Sequence, residues 1–158
     1  MKVGLLGLSD DYNKRKGQGI QRYMHEVYTR MKAKSGTLTI EKTGSSRIFP
    51  VIGAGLSFML GNMLFDFNDY KIIHNMDQKP LLPLKKGKAL VVTTAHDFQP
   101  ILAPECNDTG IKERMWQPII DYGMRRSIKS DHMIARSSLT RNDAVRLGYS
   151  RKRITVIP

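Results

Sequence analysis

Apolar runs, each about the length of one strand, alternate with polar loops along this chain. Lys88 to Phe98 (KALVVTTAHDF) holds the clearest, with no polar break between Ala89 and Thr93. A run of that kind suits a strand covered on both faces, as in a parallel sheet packed between helices. Lys85, Lys86 and Lys88 with Gly87 precede it, and His96-Asp97 stands where the strand would end. Met1 to Leu8 reads the same way as a first buried strand. Thr37 to Thr43 (TLTIEKT) alternates and predicts a second, with Gly36 and Gly44-Ser45-Ser46 as turns. Asp69 to His74, Asp131 to Ala135 and Ile154 to Pro158 complete the set of strands.

Between these runs the period changes. Ile20, Tyr23, Met24, Val27, Tyr28 and Met31 fall on one helical stripe. Gly53 to Phe65 is an apolar helix, Pro80 to Pro83 a loop, and Gln99 to Asn107, with Pro100 and Pro104, irregular. Ile111 to Ile128 has a helical pattern in which Pro118 starts a fresh helix or kinks the first. Thr140 to Leu147 is a short helix, begun at Thr140 with Asp143 three residues on and stopped by Gly148. Strands alternating with helices in this order predict a three-layer α/β fold, a Rossmann-like doubly wound, mainly parallel sheet. At 158 residues the chain makes one such domain, spanning 1–158.

Charge adds a second feature. The formal net charge is +12, and it is unevenly spread. Residues 1–47 carry ten Lys/Arg against four acids and residues 110–158 eleven against four, while 48–109 carry five against six. If the two basic ends meet in space they make a positive face, attractive to nucleic acid, anionic lipid or phosphorylated ligands. The single Cys106 excludes an internal disulfide and fits a reducing compartment. The N-terminus lacks a signal-peptide pattern, and Phe49 to Phe67 is too interrupted by Pro50, glycines, Asn62 and Asp66 for a membrane span. The expected location is cytoplasmic, with peripheral contact to a membrane face allowed by the charge.

Candidate chemistry clusters at strand ends. In open α/β sheets ligands bind beyond the carboxyl ends of the strands, which is where His96 and Asp97 would lie. Asp97 could fix the imidazole tautomer, receive a hydroxyl, or cap the next turn. Gly17-Gln18-Gly19 opens a helix after a strand and loop, an arrangement whose free N–H groups can cradle a phosphate or simply let the chain turn. The G-x-G-x-x-G fingerprint is not met, and no G-x-x-x-x-G-K-[ST] occurs. Asp10 and Asp11 follow the first strand, as hydroxyl binders or solvated loop acids. Ser137 ends a strand, as a site serine or a helix cap. His74 reads as buried, and His132 as a strand-start residue. The sequence offers no ligand set for a metal.

Several of these pieces together resemble the N-terminal domain of a GT-B glycosyltransferase of family 4 (group 1). Gly17-Gln18-Gly19-Ile20-Gln21-Arg22-Tyr23 is similar to the family's G-G-I-x-R-Y loop, with Gln18 inserted. Asp69 to His74 is similar to its D-[IV]-[IV]-H strand, and Val91 to Phe98 to V-V-x-T-x-H-D-L. Ser130 to Pro158 looks like the closing A-D-x-I-x-x-V-S pattern, short helix and I-x-V-I-P. Arg136 departs from the apolar residue usual there, and Ser138 from a common Glu.

The resemblance implies the acceptor-side half of a retaining hexosyltransferase. Its donor-binding C-terminal domain would lie beyond Pro158, so the chain alone is expected to be inactive. His96 would orient the transferred sugar or support the departing phosphate region. Gly17 and Gly19 would approach the sugar phosphate, while Asp11, Asp97 and Ser137 would line the substrate cleft. The partners implied are a nucleotide sugar and an acceptor, an anionic lipid or glycan, with no metal and no cofactor. The alternative is a basic Rossmann-like module that binds nucleotides or nucleic acid without catalysis. Against it, the basic residues are not interleaved with aromatics as in nucleic-acid binders.

Overall fold

The computed structural model describes residues 1–6, 19–34, 36, 39–43, 66–78, 86–103 and 111–158. Among these residues the apolar runs form six strands: β1 (Lys2–Leu6), β2 (Thr39–Thr43), β3 (Ile72–Asn75), β4 (Leu90–Ala95), β5 (His132–Ala135) and β6 (Ile154–Val156). The helices are α1 (Gly19–Lys34), the single turn α2 (Gln99–Leu102), α3 (Ile111–Ser127) and α4 (Ser138–Arg146), and a 3-10 turn over Arg151–Arg153 leads into β6. All pairings are parallel, in the order β2-β1-β3-β4-β5-β6. The fold is α/β, Rossmann-like and doubly wound.

That order fixes where the helices go. The chain moves from β1 one way to β2, then returns past β1 to β3 and continues to β6. Right-handed crossovers therefore place α1 on one face and α3 and α4 on the other. Packing agrees. The stripe read from the sequence on α1, Ile20 through Met31, covers Val3 and Leu5 of β1, with Met76, Ile40 and Ile72. On the opposite face Ala95 and Met133 pack with Met124 of α3, Ala144 of α4, Phe98 and Tyr149. Leu6, Ile73 and Val91 on that same face meet Phe67, Tyr70 and Ala89. The reversal between β1 and β3 is the switch point at which open sheets of this type leave a crevice.

Four local expectations are corrected. Gln99–Leu102 is a helical turn, because Pro100 falls in its first turn, where a missing N–H costs nothing. A fresh helix does not begin at Pro118, since α3 runs through it as one element, its far half held by Ile120 and Met124. Strand β3 begins at Ile72, since Asp66 and Phe67 close a turn on Asn68 (2.9 Å) and Tyr70 (3.0 Å) just before it. Strand β4 is not covered on both faces throughout, for Leu90 is 57% exposed at its start. Gly148 adopts φ 96°, the left-handed stop expected after α4. Gly53 to Phe65, Pro80 to Pro83 and Cys106 lie outside the described residues. No helix among the described residues is long and apolar enough to cross a membrane.

Thr93 and Asn75 stand opposite each other in register on the α3 face, both fully buried. Among the described residues the Thr93 hydroxyl and both polar atoms of the Asn75 side chain have no hydrogen-bond partner. An unmet buried hydroxyl costs roughly 1–3 kcal/mol. Thr93→Val, which keeps the shape and removes that atom, is expected to raise unfolding stability by about 1 kcal/mol. Urea denaturation of the two proteins checks this, and a loss of stability would show that the hydroxyl is satisfied in solution.

Candidate functional site

The site is built at the carboxyl edge, around the two residues that follow β4. Two side chains take up the backbone of His96 and Asp97 through three hydrogen bonds. The His96 N–H donates to Gln78 Oε1 at 3.0 Å, and Gln78 Nε2 donates to the Asp97 carbonyl at 2.6 Å. The Thr140 hydroxyl of α4 donates to the His96 carbonyl at 3.0 Å. Gln78 is fully buried, so its amide prolongs the β3–β4 pairing past the last strand residue. Strand end and helix start are thereby locked together.

The imidazole is held as firmly as the backbone. His96 Nε2 lies 3.0 Å from the Met76 carbonyl. A carbonyl only accepts, so Nε2 carries the proton, and in the neutral ring Nδ1 keeps the lone pair. Met76 also donates its own N–H to the Leu6 carbonyl at 3.1 Å. One peptide segment thus joins the ends of β1 and β3 to the imidazole beyond β4, beside the switch point. Tyr23 of α1 meets the His96 ring edge-on, centroids 5.3 Å apart. Its hydroxyl lies 3.3 Å from Thr94 Oγ1, which lies 2.9 Å from His74 Nε2.

The remaining expected residues sort by position. Gly19 is the first residue of α1. That helix leaves the carboxyl end of β1, and Gly19 lies one turn before Tyr23, so it shares the His96 edge. Gly17 and Asp11, with Asp10, lie outside the described residues. Asp97 is exposed, and the tautomer-fixing role offered to it belongs to the Met76 carbonyl instead. Nor does it cap the next turn: Phe98 is the N-cap of α2, with no side-chain hydrogen bond. Ser137 is the N-cap of α4, accepting the Thr140 N–H at 3.0 Å. Helix α4 thus starts at Ser138, not Thr140. Because the Thr140 proton goes to His96, Ser137 donates its own to Thr140 Oγ1 at 2.9 Å. It serves the site by holding Thr140.

Sequence reasoning assigned no site role to Gln78, Met76 or Thr140. Their roles come from contacts across the fold; a buried glutamine four residues past a strand histidine has no pattern of its own. Arg136, noted only as a departure, lays its guanidinium 4.7 Å from the Tyr23 ring centroid. Among the described residues no group of three or more His, Cys, Asp or Glu is arranged to hold a metal.

Among the described residues, many of the cations lie at the other edge. Lys71, Lys86, Lys88, Lys129 and Arg151–Arg153 stand just before strands. Lys32, Lys34, Arg125 and Arg126 fill the last turns of α1 and α3, whose carboxyl ends reach the same amino edge and favour cations. Described cations from both ends of the chain thus lie along the amino edge, away from His96. The cluster before β4 is partly engaged there, Lys86 pairing with Asp131 at 3.0 Å.

No family model matches this chain, and no curated protein matches it in sequence. Fold and site define a class only: a parallel Rossmann-like domain with a clamped histidine at its ligand edge.

His74, buried under α1, is pulled down to about 4 by its desolvation. The unfolded chain protonates this ring near 6.5, so the native state resists a proton that the unfolded state accepts. Stability from this group is complete above that value, falls as pH drops towards 4, and is level below. The loss amounts to about 3 kcal/mol. Denaturant unfolding across this window should show that fall, and His74→Phe should flatten it. An unchanged slope in the variant would assign the pH dependence elsewhere.

Proposed function

We propose that this chain is the acceptor-side half of a nucleotide-sugar glycosyltransferase, active when joined to a donor-binding half. The observation that carries the reading is the junction at the carboxyl edge. There the start of α1, the clamped His96 and the capped start of α4 come together beside the switch point, the place where open α/β sheets receive ligands. Three of the four segments that carry the sequence resemblance contribute to this junction.

In this reading the work of His96 follows from its tautomer. With the proton on Nε2 committed to Met76, Nδ1 is the group left to accept a hydrogen bond from a sugar hydroxyl. The ring orients the transferred sugar, and retention or inversion is decided by the donor half. Gln78 and Thr140 hold the backbone that carries the ring and Met76 holds the ring itself, which preserves the positioning on which catalysis depends. The basic amino edge suits contact with an anionic membrane or lipid-bearing acceptor.

The test joins the chain to the donor-binding half of a family 4 enzyme and measures transfer from a pool of nucleotide sugars. Transfer is expected, with His96→Ala lowering kcat by roughly a hundredfold, the scale for losing one oriented group at a reacting centre. Transfer indifferent to His96→Ala removes the reading. Salt-sensitive binding of an oligonucleotide with no transfer would favour the nucleic-acid alternative.

A further inference from the structure

We propose that Arg136 is a phosphoryl-binding residue, held ready on the face of Tyr23 at the carboxyl edge. The site deepens the transferase reading, on which the identity of the phosphate's bearer rests, but binding itself requires no transfer.

Arg136 is the first residue after β5. Its N–H reaches the Ala95 carbonyl at 3.2 Å, so its side chain departs from beside His96. The guanidinium carbon lies 4.7 Å from the Tyr23 ring centroid, and the His96 ring meets the same ring at 5.3 Å. Tyr23 therefore brings a cation and an imidazole to one lip of the sheet.

This cation lacks the partner that others have. Arg30, Lys86 and Arg146 each pair with a carboxylate, whereas among the described residues Arg136 pairs with none. Among the described residues its Nε, like that of Arg141, is buried without a hydrogen-bond partner. Withdrawing part of a guanidinium from water with no counter-charge is unfavourable, and an aromatic face offsets only part of that. Asp97, exposed on the same edge, makes no ion pair with it. Stacking on a ring leaves the planar donor edge of an arginine available, the geometry that grips two phosphate oxygens at once. The first turns of α1 and α4 point their positive ends to this edge and reinforce the preference for an anion.

The chemistry recognised is a phosphate group, whether on a soluble ligand or on a lipid headgroup. Inorganic phosphate titrated into the full chain is expected to shift the Arg136 Nε–H signal in NMR spectra and to saturate. Arg136→Gln should weaken phosphate binding about tenfold and Arg136→Lys by less, since a lysine keeps the charge without the fork. Arg151→Gln, which removes an exposed cation at the opposite edge, should leave the affinity within about twofold. Equal weakening by Arg151→Gln, or an Arg136 signal indifferent to phosphate, overturns the site. Once that response is seen, phosphatidylglycerol vesicles separate the two sources: binding that falls in Arg136→Gln assigns a lipid phosphate, and binding that does not assigns a soluble one. An indifferent Arg136 leaves the transferase reading standing, while transfer unaffected by His96→Ala removes that reading and leaves the phosphate site.

Discussion

The peptide group of Met76 is the joint on which this carboxyl edge depends. Parallel strands end in unpaired backbone groups, and a ligand edge is useful only if those ends are held still. Met76 donates to the end of β1 and accepts from the imidazole beyond β4. Gln78, two residues on, grips the backbone on both sides of the His96–Asp97 peptide link. Buried polar groups of this kind are favourable only when each finds its partner, and here each of the gripping atoms does. The histidine is consequently fixed in place and in tautomer before any ligand arrives.

Charge is segregated along the strand direction. Crossover helices run opposite to the strands, so lysines and arginines in the last turns of α1 and α3 reach the same edge as those preceding the strands. Among the described residues, much of the positive charge is therefore at the amino edge. Arg136 is an exception, standing at the carboxyl edge, stacked on Tyr23 instead of paired with an acid. The two edges suit different encounters: a broad basic surface for long-range attraction, and a cation stacked on an aromatic ring for close contact.

Local determinants explain most of the fold that could be read in advance. The stripe from Ile20 to Met31 became the buried face of α1 because helical period alone puts those residues on one side. The strands came out parallel, as the unbroken apolar run before His96 implied, and even the alternating segment at Thr39–Thr43 joined that sheet. Two expectations took proline without its packing: Pro100 sits harmlessly in a first turn, and Pro118, instead of starting a fresh helix, is carried inside one whose far half is anchored in the core. Helix α4 begins at Ser138 because the Ser137 hydroxyl, not that of Thr140, receives the first free N–H.

By itself the amino-acid sequence determined the parallel α/β architecture and the placement of His96 at a strand end, since both follow from periods and runs within a few residues. Tertiary structure alone decided which nitrogen of that ring bears the proton, that Asp97 has no part in it, and that Ser137 works through Thr140. The physical reason is range. Those outcomes depend on hydrogen bonds between residues from 18 to 44 positions apart, and no local pattern records which distant carbonyl or amide a folded chain will bring within 3 Å.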